Sequence, residues 1–192
     1  MLSGETAKGL YPMDALMMMH SICKEAETAF YYTKYYEEIM FHTTKPTDRT
    51  HTTAIGAEIM FHTNKPTDRT HTTAIGAVSA AVSCRASAII LITTTGSTAM
   101  LCSRYRPPVP VISITRDERV ARRLHLYRSV FPLHFSKPRE ADWQADIDER
   151  IEFGIAAGKR HGIIWAGDPL VVVTGWHQGA GFTNTIRILI AS

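Results

Sequence analysis

The chain has 192 residues and a mass of 21.4 kDa, which at roughly 150 residues per domain predicts one or two domains. Its 45% hydrophobic and 20% charged residues are typical of a globular protein and exclude a chain that is mostly disordered. The net charge is only +3, no run of five like charges occurs, and no stretch approaches the roughly 18 apolar residues that cross a bilayer. We therefore expect no nucleic acid and no membrane as partner.

The first predicted element is one long helix over residues 13–41, which Pro12 begins and which carries an apolar stripe along one face. The segment before it, residues 1–12, has no signal-peptide pattern. Three scattered cysteines, in no disulfide or metal-binding pattern, fit a reducing compartment. Together these features predict a cytoplasmic protein without a metal centre.

A tandem repeat follows the first helix. Residues 38–57 read EIMFHTTKPTDRTHTTAIGA, and residues 58–77 differ from them only by Asn64 in place of Thr44. Each copy contains the end of a helix, a Lys-Pro break and an Asp that caps the next helix. Two copies in series predict an extra helix within residues 48–61, and a mobile loop is the alternative. The near identity of the copies indicates a recent duplication.

The remainder of the chain alternates short apolar runs with helical patterns. Helices are predicted over residues 97–104, 117–127 and 140–161. Strands are predicted over residues 88–93, 109–115, 130–135, 169–174 and 185–191. This alternation predicts an α/β fold with a mostly parallel five-stranded sheet, in which the last two strands form an antiparallel hairpin.

Two loops of this predicted sheet have the composition of anion-binding sites. The loop after the first strand consists of Thr93, Thr94, Thr95, Gly96, Ser97 and Thr98. It opens a helix, where free backbone N–H groups and the helix dipole favour phosphate. The loop after the fourth strand is glycine-rich and includes His177, Gln178, Gly179, Ala180, Gly181 and Phe182. The alternative interpretations are a helix cap and an ordinary turn.

The helix predicted over 140–161 carries the other candidate site residues. Trp143 and Arg150 are about two turns apart and share a face, so they could grip a sugar phosphate or could be a packing residue beside a surface charge. The acidic residues of this helix are predicted to form a solvated face; they are Asp146, Asp148, Glu149 and Glu152. The repeat histidines His42, His51, His62 and His71 have no metal spacing and are predicted to lie on the surface. No GxSxG or P-loop motif occurs, so no catalytic residue is predicted.

Four segments resemble the C-terminal portion of animal-type pyruvate kinase. They are MLSGETAKGLYP at residues 1–12, RYRPPVPVISITR at 104–116, ARRLHLYRSVFP at 121–132 and VVVTGWHQGAGFTNTIR at 171–187. The resemblance covers the whole chain apart from one copy of the repeat. It implies a three-layer αβα C-terminal domain over residues 78–192, preceded by a TIM-barrel remnant at 1–37 and the duplicated helix-turn-helix segment at 38–77. It also implies a homotetramer with other pyruvate kinase subunits.

The resemblance further implies an allosteric effector, fructose 1,6-bisphosphate. One of its phosphates would lie in the loop at residues 93–98, the other at Trp143 and Arg150, and residues 177–182 would close over it. Regulated members of the family carry basic residues where this chain has Thr94, Ser97 and His177. Each missing cation could cost about 1–3 kcal/mol of binding free energy where the charge-assisted bond is desolvated, so binding is predicted to be weakened, and absent binding is the alternative.

The same resemblance implies the glycolytic transfer of a phosphoryl group from phosphoenolpyruvate to ADP in the complete enzyme, with Mg²⁺, K⁺ and a catalytic lysine. In this chain only Ser3, Glu5 and Lys8 match the barrel loop near the nucleotide. One loop cannot position the metal and the phosphates. We therefore expect a truncated or alternatively spliced polypeptide that binds no cofactor and is inactive alone. The alternatives are a stand-alone sugar-phosphate-binding or subunit-interaction module, and an inert duplication product.

Overall fold

The computed structural model describes residues 4–42, 68–177 and 179–192. The helix predicted within residues 48–61 therefore lies outside the described residues, as do Ser3 and Gln178. The chain divides into two units, Met1–Tyr35 and Tyr36–Ser192. No helix in the described part of the chain is long and apolar enough to cross a membrane.

The first unit contains two helices, α1 (Gly4–Ala7) and α2 (Pro12–Thr28), and α3 (Tyr32–His42) begins at its end. The prediction of one continuous helix over residues 13–41 is wrong, because the chain leaves the helix between α2 and α3. At the break, the Thr28 hydroxyl donates a hydrogen bond to the Glu25 carbonyl over 2.6 Å. The Phe30 ring packs against Tyr32 and Tyr35, with centroids 6.0 and 5.7 Å away. Threonine back-bonding and bulky aromatic side chains both weaken a helix.

The second unit is built on one five-stranded sheet in the order β3-β2-β1-β4-β5. Its strands are β1 (Ala88–Ile92), β2 (Val111–Thr115), β3 (Val130–His134), β4 (Pro169–Gly175) and β5 (Thr183–Ile190). The β1–β2, β1–β4 and β2–β3 pairs are parallel, and β4–β5 is antiparallel. The predicted mostly parallel sheet with a C-terminal hairpin is confirmed.

Besides most of α3, the described residues of this unit form the helices α4 (Arg69–Ser83), α5 (Ser97–Arg104), α6 (Glu118–Leu124) and α7 (Trp143–Arg160). The Asp68 carboxylate accepts a hydrogen bond from the His71 amide over 2.8 Å, which confirms the predicted cap in the second repeat copy. His71, predicted to lie on the surface, is only partly exposed. Its ring lies 6.1 Å from that of the buried Tyr105, and only 20% of its side chain is exposed.

The core lies on both faces of the sheet, which makes the domain three-layered. Alternate residues of a strand point to opposite faces. Ile89 and Leu91 accordingly join the cluster under α4 and α5, and Ile90 joins the cluster under α7. On α7, Gly154 permits close approach, since an added Cβ would lie 2.6 Å from Ile114 Cδ1. This packing brings the carboxyl ends of β1, β2 and β4 to one edge of the sheet.

Candidate anion-binding site

The loop after β1 is a tightly closed turn at the start of α5. The Thr93 hydroxyl accepts a hydrogen bond from the Gly96 amide over 2.9 Å, and the Thr95 and Ser97 hydroxyls lie 2.9 Å apart. Gly96 has φ +84, and an added Cβ would lie 3.1 Å from both Val120 Cγ1 and Leu124 Cδ2. Glycine is therefore required here for its conformation and for its lack of a side chain. The turn presents hydroxyl groups and the first amides of a helix at one place.

The glycine-rich loop between β4 and β5 is held together by aromatic rings. The Phe182 ring lies 6.1 Å from the Trp176 ring and 5.4 Å from the His177 ring. Gly179 and Gly181 have φ +114 and +84, a conformation that side chains disfavour. The Phe182 ring also comes within 3.2 Å of the position of a Gly179 Cβ. Phe182 thus supports the loop from within.

Trp143 and Arg150 share a face of α7, as predicted. The Arg150 guanidinium carbon lies 5.5 Å from the Trp143 ring centroid, in a cation–π arrangement. Arg150 is only 7% exposed. Its Nε and Nη2 groups donate hydrogen bonds to the carbonyl and the carboxylate of Asp146. Its remaining amino group, Nη1, has no hydrogen-bond partner among the described residues.

Asp146 is the site residue that the sequence analysis misassigned. It is 2% exposed, so the predicted solvated face is wrong for this residue, although it holds for the exposed Asp148 and Glu152. Its carboxylate accepts hydrogen bonds from Arg116 Nη2 over 2.5 Å and from Arg116 Nη1 over 3.1 Å, in addition to the bond from Arg150. Asp146 lies four residues before Arg150 and three after Trp143. This spacing is the sequence signal that could have placed it on the same helix face as these two residues.

These contacts determine the charge state of the Asp146–Arg150 pair. Burial raises the pKa of the Asp146 carboxyl, but the hydrogen bonds from Arg116 and the Glu140 amide and the two arginine charges outweigh it and lower that pKa. Burial lowers the pKa of the Arg150 guanidinium, and Asp146 opposes this effect. An arginine stays protonated under such conditions. Arg150 is therefore a fixed cation.

One cleft of about 310 Å³ joins these three regions. It brings together most of the predicted site residues: Thr93, Thr94, Thr95, Ser97, Thr98, Trp143, Arg150, His177, Gly179, Ala180 and Gly181. Gly96 and Phe182 shape the loops without lining the cleft. Thr70 and Thr183 line it and were not predicted. Glu5 and Lys8 belong to the first unit.

The described acidic, cysteine and histidine side chains form no metal cluster of the kind that holds an ion with three or more of them. Within residues 4–42, 68–177 and 179–192, no three or more of them gather closely enough to hold one.

The fold and the cleft define an α/β domain with a polar, cationic site at the carboxyl edge of its sheet, where open α/β sheets bind ligands. The sequence of residues 71–189 matches the family described as pyruvate kinase, alpha/beta domain. The chain belongs to the pyruvate kinase family.

Pyruvate kinases of animals and fungi are among its relatives. The chain is 46% identical over 192 residues to human pyruvate kinase PKLR, covering 100% of this chain and 30% of the relative. It is 40% identical over 191 residues to pyruvate kinase of Candida albicans, covering 100% of this chain and 34% of that protein. It is also 40% identical over 188 residues to pyruvate kinase 1 of Saccharomyces cerevisiae, covering 98% and 34%. The chain thus spans about a third of the length of the curated relatives it matches.

Proposed function

We propose that this chain supplies the regulatory, subunit-associating part of a cytoplasmic pyruvate kinase, and that its cleft binds fructose 1,6-bisphosphate. The observation that carries the proposal is the pairing of two different anion-binding groups around one cleft. On one side are the hydroxyls and first amides of residues 93–98, and on the other is the fixed cation Arg150. A ligand with two phosphates joined by a sugar would satisfy both.

Each group has a distinct role in the proposed complex. Helix α5 offers free N–H groups and the positive end of its dipole to one phosphate, with Thr95 and Ser97 hydroxyls as further donors. Arg150 offers Nη1 to the other phosphate, while Asp146 and the Trp143 ring fix the guanidinium in place. The glycine-rich loop lets backbone amides approach the sugar closely. Binding then needs little rearrangement of these side chains.

The affinity in this proposal is weaker than a more basic site would give. Thr94, Ser97 and His177 are the positions where the resemblance places cations in regulated members. A charge-assisted bond to phosphate is roughly twice as strong as a neutral one. Arg150 is then the one arginine that lines the cleft within the described residues. We expect measurable but weakened effector binding.

Calorimetric titration of the 192-residue chain tests this proposal. We expect heat on addition of fructose 1,6-bisphosphate. Fructose 6-phosphate, which has one phosphate, should bind at least about tenfold more weakly. The exposed pair Thr95→Val with Ser97→Ala should weaken bisphosphate binding by at least about tenfold, because two hydroxyl donors are lost. Ser136→Ala, an exposed hydroxyl outside the cleft, is the matched control. Equal binding by the double variant and the control would contradict the proposal.

We propose that the 192 residues alone do not catalyse phosphoryl transfer. The reaction depends on positioning a metal and both phosphate-bearing substrates, and no three or more acidic, cysteine or histidine residues gather as metal ligands within the described residues. In a complete enzyme this chemistry would be carried out by segments outside these residues. Pyruvate formation by the purified chain, from phosphoenolpyruvate, ADP, Mg²⁺ and K⁺ in a coupled assay, would refute this proposal.

The edge of the sheet favours association with a second copy. Strand β5 lies at the edge and pairs only with β4 within the described residues. Along it, Ile188 is 56% and Ile190 65% exposed. An unpaired edge with an apolar row is a template for antiparallel pairing with the same strand of another subunit, because a two-fold interface uses one surface twice.

The association proposal predicts that Ile188→Lys shifts the chain toward monomer. The lysine places a charge in the apolar row, and a two-fold interface would contain that charge twice. Sedimentation velocity would measure the change in oligomeric state. Asn184→Lys, an exposed position earlier on the same strand, controls for the added charge. An unchanged oligomer in Ile188→Lys, or a wild-type chain that is monomeric, would overturn this proposal.

A further inference from the structure

A second cleft adjoins the first. Residues 93–94 and Arg150 line both clefts. Its volume is about 610 Å³, roughly twice that of the first cleft, and within the usual range for small-molecule sites. Trp143 and the glycine-rich loop line only the first cleft. This second cleft, the arginine cleft, has five arginines among its lining residues: Arg116, Arg119, Arg122, Arg139 and Arg150.

The charges of the arginine cleft are only partly neutralised. Arg116 and Arg150 share the single carboxylate of Asp146. Arg122 pairs with Glu118 over 2.7 Å. The side chains of Arg119 and Arg139 form no ion pair or hydrogen bond with any residue that the structure describes. The Asp117 carboxylate accepts hydrogen bonds from the backbone amides of Arg119 and Val120 and so caps helix α6.

Arg139, although exposed, extends from a backbone that is fixed on both sides. Arg116 Nε donates to the Lys137 carbonyl and Nη2 to the Pro138 carbonyl, each over 3.1 Å. The next residue, Glu140, donates its amide to the Asp146 carboxylate over 3.2 Å. The Arg116–Asp146 pair thus holds the base of Arg139 at the rim of the cleft. Such prior ordering lowers the entropic cost of binding.

The backbone of Arg119, which also lines this cleft, is fixed as well. Its amide donates to the Asp117 Oδ1 atom over 2.8 Å in the first turn of α6. Two unpaired guanidinium groups on fixed backbones therefore face a concavity that is already cationic. Guanidinium groups recognise phosphate and carboxylate through paired N–H donors.

From this arrangement we propose that the arginine cleft is a second binding site, separate from the effector cleft, for a metabolite that carries two or more phosphate or carboxylate groups. Arg119 and Arg139 would donate to it directly. Arg116 acts as a positioning residue through Asp146 and the 137–138 carbonyls. The volume accommodates a molecule larger than a single inorganic ion.

Titration of the 192-residue chain with inorganic triphosphate and with citrate tests the proposal and separates its two anion chemistries. We expect at least one probe to bind. Arg119→Gln and Arg139→Gln should each weaken the binding of that probe by about tenfold, because each removes a charge-assisted hydrogen-bond donor. Both residues are exposed, so the fold should be retained, and circular dichroism would verify this.

Two comparisons separate this site from the effector cleft and from general charge effects. Thr95→Val with Ser97→Ala, at two residues that line only the first cleft, should leave probe binding unchanged. Arg160→Gln, an exposed arginine at the end of α7, should also have no effect. Failure of both probes to bind would overturn the proposal. Unchanged binding by Arg119→Gln and Arg139→Gln, or an equal loss in Arg160→Gln, would overturn it as well.

Discussion

Replacing Asp146 with alanine is expected to lower the free energy of unfolding by about 3–5 kcal/mol, the cost of removing one partner from a buried ionic group. Arg116 and Arg150 share this carboxylate, and Arg150 is itself 7% exposed. Without Asp146, two guanidinium charges face each other with no counter-charge between them. Urea unfolding followed by circular dichroism would measure the change. Asp148→Ala on the same helix, with a side chain 53% exposed, should change stability by only about 0.5 kcal/mol.

The Asp146 contribution should also depend on pH. Because the pKa of this carboxyl is lowered in the folded protein, its stabilisation is fully present above the unfolded pKa of about 4. The stabilisation is lost as the pH falls through the lower native pKa. The stability difference between the wild type and Asp146→Ala should therefore be constant near neutral pH and should narrow below about pH 4. A difference that widens in acid would contradict the assigned ion pair.

Replacing Gly96 with alanine is expected to cost about 2–4 kcal/mol of stability and to weaken bisphosphate binding. The residue has φ +84, which costs an alanine about 1 kcal/mol or more. The added methyl group would also lie 3.1 Å from Val120 and Leu124 side-chain atoms, which adds an overpacking cost of about 1–3 kcal/mol. Both strains act on the turn that presents the Thr95 and Ser97 hydroxyls. Thermal unfolding and calorimetry would measure the two effects.

Gly162→Ala separates the two causes. Gly162 has φ +66, but no atom lies within 4 Å of an added Cβ. It should therefore show the conformational cost alone, about 1 kcal/mol, and it should leave ligand binding unchanged. Equal destabilisation by Gly96→Ala and Gly162→Ala would mean that Val120 and Leu124 do not constrain the loop.

The sheet was predictable because its signals are local. Strands β1 and β2 are buried along their whole length, and β4 is buried from Leu170 to Thr174. Such continuous buried runs separated by helical patterns are typical of parallel strands. The Asp68 cap and the Trp143–Arg150 pair were predictable for the same reason, since each depends on a fixed spacing within one element.

Features that depend on contacts between distant segments were not predictable. Asp146 reads as one of several acidic residues on α7, and only the approach of Arg116 from the end of β2 makes it a buried carboxylate. The five arginines of the arginine cleft occupy positions from 116 to 150, which are too dispersed to form a run of like charge. The break after Thr28 depends on competing local bonds that an apolar stripe does not reveal.

The central claim is that the cleft at the carboxyl edge of the sheet binds a sugar bisphosphate between residues 93–98 and Arg150. Backbone amide NMR spectra of the chain, titrated with fructose 1,6-bisphosphate, test it most directly. The claim predicts the largest shift changes in residues 93–98 and in the loop around Gly179 and Gly181, with smaller changes at Trp143 and Arg150. Absence of any change, or changes centred on Arg119 and Arg139, would contradict it.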